Sequence, residues 1–379
     1  MPITKDQKIK TLAVIGAGEG GMPILERARA LNYVHTLVFG MADSMARHLA
    51  DEFVELDIHD IDRIVEACRE RNVDGVMASS EATTEITAIV ANRLGLPGND
   101  VSRGFAARNK YVMRTRLIGL KTVMQPNFIL FKEGDDYDYP VVVKAVDSCG
   151  KRGIKLAYGK EDMPDALAYA RQYSSSGQVL IEEYIAGGSE YSVECLAGNG
   201  LHEVIQITDK ENNGPPYFIE TAHHQPAVLT PAMRAKVEEA ACDIMKVLGI
   251  NYGMAHMELK IVDGNIYFIE VGARGGGGHI SDLLVPNSTD FDYYKAAIDC
   301  CLGLYEHKDV HHVANTGIYF HCHKNECLKP LFDQAKTANW CISCQANTDE
   351  FPKVTNSLDR TNAGHIAYRS DHKITLDDI

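Results

Sequence analysis

The sequence has fewer basic than acidic residues. Its 379 residues include 38 lysines and arginines against 52 aspartates and glutamates, which gives a formal net charge of −14. Proteins that bind nucleic acid hold its phosphates with clustered Lys and Arg, and no segment of this sequence carries such a cluster. The composition therefore argues against a nucleic-acid partner, and a small anionic ligand has to be met by a few local basic groups.

Long hydrophobic runs are also absent. The early apolar stretch, residues 11–15, runs into a glycine loop and is too short for the apolar region of a signal peptide. No run approaches the roughly 20 residues of a membrane span. We therefore expect the ten cysteines to be reduced thiols, and we expect a cytoplasmic protein without a membrane partner.

Short apolar runs alternate with amphipathic stretches over residues 10–97, which predicts a parallel sheet covered by helices on both faces. A chain of this length is expected to form two or three subdomains. Strands are predicted at residues 139–144 and 316–323. The clearest helices are predicted at residues 23–31, 44–53, 61–71 and 231–248.

A glycine-rich turn follows the first predicted strand. Gly16, Gly18 and Gly21 fit the GxGxxG spacing, which can place a dinucleotide pyrophosphate at a helix N-terminus. The second strand, however, ends at Gly40 and Met41 without the acidic residue that holds a ribose. Three interpretations stay open: a dinucleotide site, a glycine turn close to the substrate, and a purely structural turn.

A lysine at the end of a strand introduces a second glycine loop. Lys144 ends the strand, and the loop carries Ser148, Gly150, Lys151 and Gly153. Backbone N–H groups and cationic side chains in such a loop can cradle a polyphosphate, although the Walker pattern GxxxxGK(S/T) is absent. The alternative is a mobile basic loop on the surface.

The segment 251–274 predicts a hairpin that turns at Asp263, Gly264 and Asn265. If all three residues form the loop, Glu258 lies directly opposite Glu270, and Ile269 lies on the buried face. Opposed carboxylates repel, and Mg²⁺ bridging ATP phosphates would relieve that repulsion. A two-residue turn would instead separate the two carboxylates and leave them as ordinary surface glutamates.

The ordered motifs of residues 10–305 resemble the ATP-grasp superfamily, in particular its carboxylate–amine ligases and, more distantly, biotin carboxylase. They are Asn109-Lys110, Pro140 to Lys144, the glycine loop, Ile181 to Ile185, Gly188-Ser189-Glu190, Glu258, and Glu270 to Gly278 with Arg274. The resemblance implies an α/β fold, in which a Rossmann-like parallel sheet precedes a two-lobed α+β ATP-grasp unit. The implied domains are 1–104 (N-terminal), 105–190 (linker and lid), 191–305 (catalytic) and 306–379 (C-terminal extension).

The resemblance also implies roles for individual residues. Lys110 and Lys144 would contact ATP phosphates together with Ser148, Gly150 and Gly153, while Lys144, Lys151 and Arg274 would serve catalysis, Arg274 by stabilising the acyl phosphate and tetrahedral intermediate. Adenine would lie against Glu182, Glu183, Tyr184 and Ile185, and the ribose against Glu190. Glu258 and Glu270 would hold two Mg²⁺ ions, with Mn²⁺ as an alternative. Gly272 departs from the family pattern, which often has a metal-binding Asn there, and an extra glycine precedes Glu190.

Several residues are weaker candidates. His223 or His224 is a candidate for a substrate pocket, as are Gly18, Gly276, Gly277 and His279, and structural roles remain the alternative. The histidines and cysteines of residues 321–344 fit no common zinc spacing, so ordinary buried thiols are expected.

We therefore expect an ADP-forming ligase that joins a small-molecule carboxylate and an amine through an acyl phosphate, with an amino acid among the expected substrates. The alternatives are an ATP-grasp enzyme acting on bicarbonate, a nucleotide sensor without turnover, and an NAD-dependent dehydrogenase. A homodimer is left open.

Overall fold

A computed structural model describes residues 8–104, 107–348 and 350–378. The first seven residues of the predicted N-terminal domain, and its predicted boundary at residue 105, lie outside this description. The helices are α1 (Met22–Arg29), α2 (Ile61–Glu70), α3 (Thr84–Leu94), α4 (Val101–Gly104), α5 (Lys110–Arg116), α6 (Met163–Tyr173), α7 (Pro231–Leu248), α8 (Val285–Ser288), α9 (Tyr293–Cys301), α10 (Lys329–Ala335) and α11 (Ser357–Ala363). The strands are β1 (Lys10–Ile15), β2 (Val34–Gly40), β3 (Glu52–Glu55), β4 (Gly75–Ala78), β5 (Phe128–Leu130), β6 (Val141–Ala145), β7 (Ile154–Ala157), β8 (Val179–Glu183), β9 (Ser189–Gly198), β10 (Leu201–Asn212), β11 (Glu220–Gln225), β12 (Gly253–Val262), β13 (Asn265–Gly272), β14 (Asn315–Phe320), β15 (Cys341–Ala346) and β16 (Gly364–Ser370).

The N-terminal domain is a parallel sheet in the order β3-β2-β1-β4. Apolar side chains of α1 pack on one face, and those of α2 and α3 pack on the other, as predicted. The helix predicted at residues 44–53 is wrong, because a 3₁₀ helix at Met45–Leu49 gives way to β3. The carboxylate of Asp51 accepts hydrogen bonds from the backbone N–H and hydroxyl of Thr36, which aligns the chain with β2 instead.

A small antiparallel sheet, with the order β5-β8-β6-β7, forms the lid. Helix α6 packs its apolar residues against β6, β7 and β8. Lys144 lies near the end of β6, and the glycine loop of residues 146–153 connects β6 to β7. The fold therefore holds one end of the predicted phosphate loop on a buried strand.

The largest sheet has the order β13-β12-β9-β10-β11-β14-β16-β15. Helix α7 covers the apolar side of its first strands. Strands β14, β15 and β16 belong to the predicted C-terminal extension, yet they continue the sheet beyond β11. The predicted boundary at residue 190 falls inside β9, so the domain limits remain a proposal.

The hairpin of β12 and β13 turns in two residues, not three. Val262 pairs with Asn265, and both Asp263 and Gly264 have the positive φ of such a turn. A bulge then skips Ile269 and restores the pair of Glu258 and Glu270. The predicted juxtaposition is therefore confirmed, although the predicted loop length and the core position of Ile269 are wrong, because Phe268 packs in the core instead.

None of the helices within the described ranges combines the length and apolar character that crossing a bilayer requires. All ten cysteines lie in the described part of the chain and are free. Cys327 and Cys344 are exposed, so the prediction of buried thiols is wrong for these two.

Candidate functional site

A cavity of about 660 Å³ lies where the N-terminal domain, the large sheet and the C-terminal strands meet. The lid contributes the loop residues Cys149, Gly150 and Lys151 to its wall. Its polar lining includes Glu81, Lys151, Lys210, Glu220, His223, His256, Glu258, Glu270, Arg274, Arg360 and His365. Residues far apart in sequence therefore share one highly charged cavity.

The two opposed glutamates lie at the floor of the cavity, and each already contacts lysine. The Nζ atom of Lys110 lies 3.0 Å from Glu270, while Lys151, at 3.2 Å, and Lys210 both contact Glu258. Burial raises the pKa of both carboxyls, but these lysines outweigh it and hold both pKa values below the usual range. The repulsion that a metal was expected to relieve is therefore already offset by lysine.

Lys151 reaches this floor from a constrained loop. Gly150, Lys151 and Gly153 all have positive φ, which is unusual for a lysine. Burial lowers the pKa of Lys151, but Glu258 and Glu220 more than compensate and raise it well above its usual value. Lys110 donates to the carbonyl of Ser148 in the same loop, so both lysines fix the predicted phosphate loop against the sheet.

Glu220, on β11, gathers cations from three parts of the chain. Its Oε1 lies 3.2 Å from Lys210 and 3.7 Å from Lys151, and its Oε2 accepts a 2.8 Å hydrogen bond from Arg360. Burial raises the pKa of Glu220, but the three cations lower it far below the usual value. Glu220 thus links the large sheet, the lid loop and the C-terminal helix α11.

Lys144 belongs to a second buried cluster, in the lid. Its Nζ lies 2.6 Å from Glu182, and the other oxygen of Glu182 accepts a 2.7 Å hydrogen bond from Arg114. Arg114 also donates to the carbonyls of Phe268 and Ile269 on β13. Burial lowers the pKa of Lys144. Glu182 therefore binds two cations through its side chain, and Arg114 joins the lid to the hairpin of β12 and β13.

The predicted hinge continues from β8 into β9. Glu183 is exposed and accepts hydrogen bonds from the N–H and side chain of Asn127, at 3.1 and 3.0 Å. Lys260 donates to the carbonyl of Ile185 at 2.7 Å and lies 5.6 Å from the ring centroid of Tyr184. Glu190 pairs in register with Lys260. The predicted adenine and ribose residues therefore lie on the connection from β8 of the small sheet to β9 of the large sheet.

Arg274 bridges the hairpin and the N-terminal domain. Its Nη2 donates to Glu81 at 2.8 Å, and its Nη1 donates to the carbonyl of Gly275 at 2.8 Å. A Cβ at Gly272 would lie 3.4 Å from both Arg274 Nε and Glu81 Oε2. The Arg274–Glu81 pair thus occupies the space into which an asparagine at residue 272 would extend.

The glycine run after Arg274 is held by a buried carboxylate. Glu194 accepts from the N–H of Gly276 at 3.0 Å and from Ser281 at 2.8 Å, and it contacts His256. A Cβ at Gly276 would lie 2.7 Å from both Glu194 and His256, so only glycine fits. Gly276, Gly277 and the neighbouring His279 line the cavity, where substrate candidates were predicted.

The remaining substrate candidates, His223, His224 and Gly18, do not all line the cavity. His223 lines the cavity, whereas His224 faces away and contacts Tyr368 at 3.0 Å and Glu211 at 3.1 Å. Gly18 does not line the cavity, although the following Glu19 and Gly20 do. Gly16 is structural, because a Cβ there would lie 2.5 Å from the Ser79 hydroxyl. The glycine turn therefore reaches the cavity through its second half.

Comparison with known proteins identifies the family of this chain. Models of the ATP-grasp domain and the ATP-grasp N-terminal domain match residues 137–282 and 25–98. Dapdiamide A synthase of Enterobacter agglomerans is 27% identical over 297 residues, which cover 71% of this chain and 68% of that protein. The chain belongs to the ATP-grasp superfamily. It also matches the carbamoyl phosphate synthase large chain of Micrococcus luteus, at 28% identity over 175 residues, 45% of this chain but only 15% of that one.

Solved structures show the same ATP-grasp fold. The L-amino acid ligase from Bacillus licheniformis has a TM-score of 0.77 at 23% identity, over 98% of this chain and 95% of that chain. The biotin carboxylase domain of the Hydrogenobacter thermophilus 2-oxoglutarate carboxylase, solved with MgADP, ADP and bicarbonate, has a TM-score of 0.72 at 18% identity, over 96% and 87%. The matches confirm the predicted family, fold class and class of ATP-dependent ligase.

Some residues of this ATP-grasp site were not predicted. Lys210, Glu220 and Glu194 are buried charges within strands, and a charge inside an otherwise alternating strand is a usable signal, because burial requires a partner. Glu81, Arg114 and Arg360 carried no such signal. Their places in the site depend on how distant segments meet.

Proposed function

We propose that this ATP-grasp chain is a carboxylate–amine ligase. The carboxylate of one substrate attacks the γ-phosphorus of ATP, which forms an acyl phosphate and releases ADP. The amine of the second substrate then attacks the acyl carbon, the C–O bond to phosphate breaks, and inorganic phosphate leaves. The observation that carries the proposal is the convergence of Lys110, Lys151 and Lys210 on Glu258 and Glu270 at the floor of the cavity, with Arg274 in the wall of the same cavity.

The lid and hinge supply the nucleotide site in this proposal. Lys110, Lys144 and the loop residues Ser148, Gly150 and Gly153 would hold the phosphates. The hinge residues Glu182, Glu183, Tyr184 and Ile185 would contact adenine, and Glu190 would contact the ribose. Lys151 would move from Glu258 to the terminal phosphate, because an anionic phosphate competes with the carboxylate for its charge.

The two carboxylates at the floor of the cavity are suitable ligands for a hard cation. Mg²⁺ typically binds one or two protein carboxylates together with phosphate oxygens and water, and Glu258, which is buried, and Glu270, which is partly exposed, are two carboxylates paired across strands that line the cavity. No group of three or more His, Cys, Asp or Glu side chains in the described ranges is arranged to hold a metal. We propose that the two glutamates bind two Mg²⁺ ions, for which Mn²⁺ can substitute. When bound, the metal supplies charge neutralisation for the phosphoryl group.

The chain's own residues hold the reacting groups in place. Arg274 would stabilise the negative charge that develops on the acyl phosphate and the tetrahedral intermediate, because a fixed guanidinium facing that position needs no reorganisation. The N–H groups of Gly277 and Gly278 follow in the same glycine run and would hold a substrate oxygen, whereas the N–H of Gly276 already donates to Glu194. Catalysis then consists mainly of positioning and charge neutralisation.

Two ligase-type reactions fit the family, and the size of the cavity favours one of them. Bicarbonate, the substrate in the alternative, is far smaller than a cavity of about 660 Å³, which is in the range of sites for organic ligands. We therefore favour two organic substrates, with an amino acid among them. We further propose a cytoplasmic enzyme with the four-part domain division stated above, and a homodimer is the simplest assembly to test.

Oxygen labelling tests the acyl phosphate. A panel of amino acids, singly and in pairs and with a bicarbonate arm, is first screened for ADP release. With the active acyl donor labelled by ¹⁸O in its carboxylate, we expect one label in inorganic phosphate, because the carboxylate oxygen that attacks phosphorus leaves with it. Mass spectrometry of the phosphate measures this. Label in AMP would instead show an acyl adenylate, and stimulation by bicarbonate alone would support the alternative reaction.

The Glu270→Gln variant tests the metal site. Mg²⁺ with a non-hydrolysable ATP analogue at about 100 times its Kd should stabilise the wild-type protein by about 2.7 kcal/mol. We expect most of the Mg²⁺-dependent rise in melting temperature to disappear in Glu270→Gln, since the amide is a weaker ligand without charge. The exposed Glu239→Gln on α7 is the matched control and should keep the full rise. An intact rise in Glu270→Gln would rule out Glu270 as a ligand.

A further inference from the structure

One part of the cavity lies away from the proposed metal carboxylates and is built by the C-terminal region. Helix α11 presents Arg360, which is 5% exposed and lines the cavity. Its guanidinium lies 4.3 Å from the ring centroid of Phe320 and donates through Nη1 to Glu220. These two contacts fix the plane of the guanidinium before any ligand binds.

The charge of Arg360 is only partly satisfied by the protein. Its Nε is buried and has no hydrogen-bond partner, although a guanidinium has five N–H donors. Glu220 is shared with Lys210 and Lys151, so it cannot neutralise Arg360 alone. A buried guanidinium that lines a cavity and has an unsatisfied N–H donor fits a carboxylate, because the two groups match in geometry and charge.

His223 and Gly278 lie beside this guanidinium and complete the site. The Nδ1 atom of His223 lies 3.2 Å from the carbonyl of Gly278. Since a carbonyl only accepts, Nδ1 carries the proton and Nε2 carries the lone pair; Nε2 is buried without a partner. A Cβ at residue 278 would lie 2.9 Å from both Arg360 and His223. Only glycine therefore lets the backbone at residue 278 approach Arg360 and His223 this closely, and all three residues line the cavity.

We propose that Arg360 binds a substrate carboxylate that is not phosphorylated, and that this carboxylate belongs to the amine substrate, an α-amino acid. The ion-pair chain from Glu258 through Lys210 and Glu220 to Arg360 separates Arg360 from the floor where phosphoryl transfer is placed. An α-amino acid has both groups that the site requires, a carboxylate for Arg360 and an N–H donor for His223 Nε2. This inference rests on the proposed ligase function and assigns the class of its second substrate.

The test compares an amino acid with its own amide. With the active substrate pair from the ADP-release panel, the amine substrate is supplied either as the free amino acid or as its primary amide. In Arg360→Gln we expect the KM of the amino acid to rise about ten- to 150-fold, the value of a charge-assisted hydrogen bond, while the KM of the amide changes less than about threefold. Arg360→Lys keeps the charge without the planar fork, so its KM should be intermediate.

The control is Arg369→Gln, an exposed arginine on β16 whose side chain donates only to the carbonyl of Asn287; both KM values should stay unchanged. An equal rise for amino acid and amide in Arg360→Gln would show a structural role and overturn the proposal. The acyl donor is varied in the same way, as aspartate against asparagine. If Arg360→Gln raised the KM of aspartate but not that of asparagine, Arg360 would bind a second carboxylate of the acyl donor, and the assignment of its carboxylate to the amine substrate would be overturned.

A binding measurement separates this site from turnover. The free amino acid should raise the melting temperature of the wild-type protein more than its amide does, and Arg360→Gln should lose that difference. If no pair releases ADP but the difference is present and lost in Arg360→Gln, the ligase proposal fails while the carboxylate site stands. ADP release without any such difference overturns the carboxylate site alone.

Discussion

Replacing Glu182 by alanine is expected to destabilise the folded protein by about 3–5 kcal/mol, because it leaves Arg114 and Lys144 buried without their shared carboxylate. The three side chains are 3%, 1% and 9% exposed, respectively. Lys144 can partly adapt by losing its proton, as its lowered pKa indicates, but Arg114 cannot. Urea unfolding followed by circular dichroism measures the change.

The pH dependence of the same variant gives an independent measurement. Burial raises the pKa of Glu182, but Arg114 and Lys144 outweigh it and lower that pKa from 4.5 to about 2. A carboxyl with a depressed pKa stabilises the fold above its unfolded pKa, and this stability is lost as the pH falls through the folded value. The difference between wild type and Glu182→Ala should therefore be largest above about pH 4.5 and shrink towards pH 2.

The adjacent Glu183 provides a matched control. It lies on the same strand but is exposed, and its carboxylate accepts hydrogen bonds from Asn127, so Glu183→Ala should change stability by no more than about 1 kcal/mol. An equal loss of folding stability in Glu183→Ala and Glu182→Ala would contradict the role of the buried cluster. So would a stability difference between wild type and Glu182→Ala that did not change with pH.

Local sequence patterns were sufficient to predict much of this fold. Helix α7 has the predicted bounds because Thr230 caps it and Gly249 ends it with a positive φ. The pair of Glu258 and Glu270 was also predicted, but through two errors that cancel: the loop is one residue shorter, and a bulge at Ile269 restores the register. A bulge depends on packing against neighbouring strands, which a single hairpin sequence does not specify.

Local sequence patterns could not predict which residues contact the predicted site residues. Lys110, Lys144, Glu258 and Arg274 were identified by motif, but each contacts a residue from a distant segment. The C-terminal strands were mostly unassigned, because their short segments gain stability by pairing with one another and with β11 of the large sheet. Arg360 enters the cavity only through that assembly, so no local pattern pointed to it.

Replacing Arg274 by alanine is expected to lower the rate of amide formation at saturating substrates by about 10²–10³-fold, the effect of removing one preorganised group that stabilises transition-state charge. Arg274 is suited to this role because Glu81 and the Gly275 carbonyl fix its guanidinium at the cavity wall. Burial lowers its pKa, yet Glu81 more than compensates and raises it, so the charge persists across the assay range.

The companion variants show whether this loss comes from catalysis or from folding. Arg93→Ala removes an exposed arginine of α3 that is paired with a single carboxylate, Asp62 at 2.6 Å, and it should leave the rate within about twofold, because exposed pairs contribute little. Glu81→Gln keeps the charge of Arg274 but weakens its orientation, so we expect an intermediate loss in rate with little change in melting temperature. If Arg274→Ala retained more than about a third of the wild-type rate, Arg274 would not stabilise the transition state, and its pair with Glu81 would serve only to join the N-terminal domain to the large sheet.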